Sequence, residues 1–107
     1  MADHLTIDVR DEGGTAVLLL AGELDLASSP ELTERAEAAL ADGKAVVLDL
    51  SELSFIDSTG LGAIAGIDRN AKTAGTTMSL VPGSPGVQRV FDVSGTTDAF
   101  TWIEPQG

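Results

Sequence analysis

Apolar and polar residues alternate strictly at the start of the chain: Leu5, Ile7 and Val9 with Thr6, Asp8 and Arg10. A period of two predicts a half-buried strand. Asp11-Glu12-Gly13-Gly14 is a turn signal, and the more apolar Thr15 to Glu23 predicts a second strand. The two are expected to form a hairpin. The period then changes. Ser28-Ser29-Pro30-Glu31 reads as a helix start, with Pro in the first turn and Glu31 placed for a capping box with Ser28. Leu32, Ala36, Ala39 and Leu40 share one face, and Gly43 is placed to end the helix.

Ala45 to Leu50 is a continuous apolar run broken only by Asp49, as expected of a strand covered on both faces. Ser51 to Asp57 reads as a connection. A helix is expected from about Thr59 to Ala74, with Ala63, Ile64, Ile67, Ala71 and Ala74 on one side and Gly75 closing it. Thr77 to Val81 reads as a short strand. Ser84-Pro85 opens a third helix with Val87, Val90 and Phe91 at helical spacing, ended by Gly95. The tail, with Phe100, Trp102 and Ile103, reads as a short strand or an irregular packing segment. The order β-β-α-β-α-β-α implies an α/β domain spanning residues 1–107, a small mixed sheet with helices packed against it. Val46, Val47, Leu48, Ile64, Ile67, Val90 and Phe91 are expected to share one core.

Composition narrows the function classes. The 107 residues suit one ordinary domain, and no internal repeat is visible. There is no cysteine, which excludes disulfides, thiolate metal sites and cysteine catalysis. Met1-Ala2-Asp3-His4 lacks the basic and apolar regions of a signal peptide, and Ala16 to Ala21 is too short to cross a bilayer. A cytoplasmic location without membrane insertion is therefore expected. The formal net charge of -11 repels a nucleic-acid backbone and an anionic membrane. Solubility explains such a surface, and so does steering toward a basic partner.

The single histidine, His4, lies near the N-terminus, so a Ser-His-Asp arrangement has no base and a histidine metal cluster cannot form. No calcium-loop spacing is present, and Gly60-Leu61-Gly62 lacks the lysine and glycine pattern of a phosphate-binding loop. An enzyme is not expected, nor any cofactor or metal.

Phe55-Ile56-Asp57-Ser58-Thr59-Gly60-Leu61-Gly62 stands at the junction of buried strand and helix. Asp57, Ser58 and Thr59 serve well as ordinary N-cap residues. A cap alone does not need Gly60 and Gly62, each of which costs about 1 kcal/mol relative to Ala inside a helix. Glycine here lets another backbone approach and leaves Ser58 unobstructed. Leu61 falls at the edge of the apolar stripe. It reads equally as core packing and as a partly exposed contact beside a hydroxyl.

Four segments together resemble one family: Gly22-Glu23-Leu24-Asp25, Val47-Leu48-Asp49-Leu50-Ser51, Asp57-Ser58-Thr59-Gly60-Leu61-Gly62, and Ser84-Pro85-Gly86-Val87-Gln88-Arg89-Val90-Phe91. In this order they resemble the STAS-domain anti-sigma-factor antagonists nearly end to end. The resemblance implies phosphorylation at Ser58 and partner contacts at Asp25, Asp57, Thr59, Gly60 and Leu61. It implies two partners, an anti-sigma factor that is also a serine kinase using ATP and magnesium, and a serine phosphatase. The unphosphorylated form would bind the kinase and free a sigma factor, and phosphorylation would end that binding. The same fold also serves as a non-switching scaffold in lipid-transport or signalling assemblies, which would have no need of the Ser58-Thr59 hydroxyls.

Overall fold

The computed structural model describes residues 4–105. Strand β1 spans Thr6–Asp11 and β2 spans Thr15–Leu24, an antiparallel hairpin as expected. Glu12 and Thr15 exchange backbone hydrogen bonds of 2.8 and 3.3 Å around Gly13 and Gly14. Both glycines have positive φ, the requirement of a tight primed turn. Helix α1 is Ser29–Ala41, β3 is Ala45–Ile56, α2 is Ser58–Thr73, β4 is Met78–Val81 and α3 is Pro85–Ser94. The sheet order is β1-β2-β3-β4, with β2, β3 and β4 mutually parallel. This is the small mixed α/β sheet expected from the element order.

Alternation along the strands sorts the core into two parts. Leu18, Leu20, Val46, Leu48, Leu50 and Leu80 pack with Leu32 and Ala36 of α1, Ile64 and Ile67 of α2, and Val87 and Phe91 of α3. Val47 points the other way. It joins Val17 and Val81 in a smaller cluster on the opposite face, flanked by Ile103. The expectation of one shared core therefore fails for Val47, which is one residue out of phase with Val46 and Leu48. Val90 is only partly buried against the main cluster. On α2, Ala63 is half-buried and Ala74 exposed, so the apolar face is narrower than expected.

The largest correction concerns β3. Residues 51–56 continue the strand where a connection was expected. β2 runs on to Leu24, and the two strands stay paired to Leu24↔Ile56 through two register shifts. At each shift β3 takes one extra residue: Leu19 to Ala21 faces Asp49 to Glu52, and Gly22 to Glu23 faces Leu53 to Phe55. Such bulges break the period of two. Only Leu53 and Ile56 of this segment are buried, three apart, so no strand pattern is visible. The buried Asp49 carboxylate is satisfied at the first bulge by the Ser51 N–H at 2.9 Å and hydroxyl at 2.6 Å.

The tail is a short 3-10 turn at Thr97–Ala99 followed by a one-residue bridge of Trp102 to Leu80. Leu80 N–H donates to Thr101 C=O, and Ile103 N–H to Leu80 C=O, both at 2.8 Å. These bonds cover part of the exposed edge of β4. Phe100 and Trp102 meet Phe91 edge-on, with centroids 5.9 and 5.0 Å away. The indole N–H donates to Thr97 C=O at 2.8 Å. The polar stretch at 96–98 thus precedes an aromatic lock on α3.

Gly60 sits where α2 crosses β2. A Cβ there would lie 2.8 Å from both the carbonyl oxygen and Cγ of Leu24. At Gly62 a Cβ would meet nothing within 4 Å. The two substitutions should therefore have opposite signs. Gly60→Ala is expected to lower stability by roughly 1–3 kcal/mol through overpacking against backbone. Gly62→Ala is expected to raise it by up to about 1 kcal/mol through helix propensity. Urea denaturation of both proteins checks this, and two changes of the same sign would contradict it. Ile64→Ala is expected to cost about 2–5 kcal/mol, with Leu61→Ala toward the low end of that range. An unchanged midpoint for Ile64→Ala would remove that residue from the core.

Candidate functional site

The pairing of Leu24 with Ile56 ends two neighbouring strands side by side. Asp57 N–H donates to Leu24 C=O at 3.2 Å, so the chain leaves β3 still tied to β2. Asp57 is the N-cap of α2. Its Oδ1 accepts the Gly60 N–H at 2.9 Å, and its carbonyl accepts the Leu61 N–H at 3.0 Å. Asp57 alone thus does the capping expected of the polar triplet. Ser58 and Thr59 become the first two helical residues, and both are exposed. Their N–H groups are first-turn donors without an intrahelical acceptor.

Asp25 follows the end of β2 and is half-buried. Its Oδ1 accepts the N–H groups of Ala27 at 3.0 Å and Ser28 at 3.1 Å. Its carbonyl accepts the Ser29 N–H at 2.9 Å and the Ser29 hydroxyl at 2.6 Å. The expected capping box does not form. The Ser28 side chain makes no cap bond; its hydroxyl donates to Glu23 C=O at 2.8 Å and accepts the Asp25 N–H at 2.9 Å. Asp25 therefore shapes the β2–α1 loop beside the start of α2.

Two residues expected at a partner surface, Gly60 and Leu61, are buried in the chain by itself. Gly60 is buried against Leu24, so the backbone it admits is the chain's own β2. Leu61 is 9% exposed and belongs to the main core. Packing wins over exposure because the Leu61 side chain joins the main core with its helix neighbour Ile64. Leu61 still shows one side to the groove between α2 and α3.

That groove, about 310 Å³, is lined by Ser58, Leu61, Arg89, Val90, Val93 and Ser94. A second groove of about 540 Å³ lies between α1 and α2, and its lining includes Leu26, Pro30, Thr33, Thr59 and Ala63. Ser58 and Thr59 thus stand on a ridge with an apolar groove on either side. The ridge thus presents two exposed hydroxyls between two grooves of largely apolar lining. Among the described residues no group of three or more His, Asp or Glu is placed to hold a metal ion. None of their buried side-chain polar atoms lacks a partner. Among the described residues no helix is long and apolar enough to cross a membrane.

Sequence reasoning missed two exposed apolar residues that line these grooves. Leu26 is 73% exposed and Val93 76%. The signal for Val93 was available: it lies six residues after Val87, about 120° off the α3 stripe. Leu26 stands alone in a polar loop, and only the fold brings it beside Thr59.

The STAS-domain family model matches residues 6–106. The anti-sigma-B factor antagonist of Bacillus subtilis (strain 168) is 30% identical over 95 residues, covering 89% of this chain and 87% of that protein. The crystal structure of an anti-sigma factor antagonist from Mycobacterium paratuberculosis aligns with a TM-score of 0.85 at 30% identity, over 97% of this chain and 88% of that one. The anti-sigma factor antagonist SpoIIAA in its unphosphorylated form aligns with a TM-score of 0.79 at 25% identity, over 94% and 89% of the two chains. The chain belongs to the STAS-domain family of anti-sigma factor antagonists.

Proposed function

We propose that this protein binds an anti-sigma factor with serine kinase activity and thereby frees a sigma factor, and that phosphorylation of Ser58 ends the binding. The observation that carries this reading is the exposed Ser58 hydroxyl at the first position of α2, on the ridge between two apolar grooves. The kinase transfers the γ-phosphoryl group of ATP to Ser58 Oγ; the hydroxyl proton leaves and ADP is released. A serine phosphatase hydrolyses the ester with water, which restores the hydroxyl and yields inorganic phosphate. The cycle places the protein in the cytoplasm with its partners.

The physics of the position favours such a cycle. Phosphorylation adds about -1.5 to -2 charges at pH 7. The first-turn N–H groups and the helix dipole accept that charge, so the fold survives it. Asp57 opposes it as a like charge, although its carboxylate already accepts the Gly60 N–H. In a packed interface the dianion has to be desolvated or paired, and binding fails where neither happens. Thr59 is equally exposed, so exposure does not choose between the hydroxyls. The family resemblance selects Ser58.

Ser58→Ala is expected to abolish kinase-dependent phosphate gain yet still bind the anti-sigma factor. Ser58→Asp is expected to keep the fold and bind weakly, since one carboxylate imitates a dianion only in part. Phosphopeptide mapping and calorimetric titration of the variants check both halves. Phosphate found only on Thr59 would overturn the site. Tight binding by protein homogeneously phosphorylated at Ser58 would overturn the switch.

A further inference from the structure

We infer that Arg89 is the internal counter-ion of the Ser58 phosphate, drawn across the α2–α3 groove onto the modified side chain. The inference rests on Ser58 accepting phosphate. Ser58 and Arg89 line the same groove of about 310 Å³, and Arg89 is the one cation in that lining. The residues around them are Leu61, Val90, Val93 and Ser94, which offer the guanidinium no opposite charge.

Arg89 is exposed and makes no ion pair among the described residues. The pairs that do form are Arg10 with Glu12, Lys44 with Asp11 and Lys72 with Asp68. The nearest acid on its own helix, Asp92, already accepts the Thr97 hydroxyl. The neighbouring Gln88 accepts the Gly83 N–H at 2.8 Å. An arginine left free beside a hydroxyl is notable in a chain with 17 acidic and 6 basic side chains.

The acids near the phosphate are Asp57 at the helix start, Asp25 on the β2–α1 loop and Asp92 on α3. Asp57 and Asp25 have carboxylate oxygens engaged with backbone N–H groups. The wider surface is screened within about 8 Å at physiological salt. A local cation therefore decides how well the dianion is tolerated. The planar fork of arginine suits phosphate oxygens in bidentate fashion. Drawn to the phosphate, the side chain also covers the Leu61–Val93 groove. Phosphorylation then ends binding twice over: it adds charge on the ridge and occludes one apolar flank from within.

The test uses the full chain with phosphoserine installed at position 58 by nonsense suppression, so that no kinase is needed. The phosphate is titrated by phosphorus NMR at 0.15 M salt. With Arg89 present, the second ionisation is expected below its ordinary value of about 6. Arg89→Gln is expected to raise that midpoint by roughly 0.3–0.7 pH unit, and Arg89→Lys by less. Arg69→Gln removes the same charge eleven residues further along α2, about 16 Å away, and is expected to leave the midpoint in place. Equal midpoints in the native and Arg89→Gln proteins, both folded by circular dichroism, would overturn the inference. So would an equal shift from Arg69→Gln. Either failure leaves the Ser58 switch standing, whereas mapping of phosphate to Thr59 alone would remove the switch without altering this titration.

Discussion

Everything at the site depends on how closely α2 packs on the end of β2. The Leu24 carbonyl accepts the Asp57 N–H, and the same oxygen would lie 2.8 Å from any Cβ at position 60. One backbone group thus receives the chain as it leaves β3 and demands glycine in the first turn of the helix. The register shifts earlier in β3 serve the same end. They keep β3 paired with β2 to Ile56, so the helix begins on a strand end rather than on a loop. A hydroxyl on a loop would sample many positions. Held as the first residue of a helix anchored to the sheet, it is confined to the rotamers of one fixed Cα–Cβ bond.

Capping is divided so that the proposed phosphorylation position is left free. A serine at the N-cap would spend its oxygen on a backbone N–H. Here Asp57 takes that duty, and Ser58 stands one residue later with its hydroxyl exposed. The same displacement occurs at α1. Ser28 occupies the N-cap but bonds Glu23 and Asp25, and the Asp25 carboxylate organises the turn. Each end of the paired strands therefore carries an aspartate that orders a helix entry. The resemblance drew attention to both aspartates as contact residues. Their hydrogen bonds give them a structural duty first.

Legibility in the sequence followed local period. The hairpin, α1, α2 and α3 show through clean alternation or helical spacing, and the structure places them within one or two residues of expectation. The segment 51–56 was illegible because two bulges put Leu53 and Ile56 on the same buried side at a spacing of three. Val47 was misplaced because a continuous apolar run does not say which residue faces which layer. At the site, Asp57, Ser58 and Thr59 were legible as a polar triplet before a helix. The burial of Gly60 and Leu61 was not, since it depends on tertiary packing, for Gly60 on Leu24 of the sequence-distant β2. Gly62 remains without a packing reason: nothing lies within 4 Å of its Cβ position.

The proposed switch has to alter binding without altering the fold, and the arrangement of charge is consistent with separating the two. The core beneath the site is wholly apolar, from Leu24 and Ile56 through Leu61 to Ile64. A phosphate on the ridge therefore displaces no buried polar bond. It meets first-turn N–H groups below and a free arginine across the groove. The same features leave an approaching partner with a dianion it has to desolvate, between two grooves whose value lies in their apolar area. On the proposed reading, one modification thus lowers affinity while the fold survives it. The fold already has donors and a cation for the new charge, while a partner must bring its own.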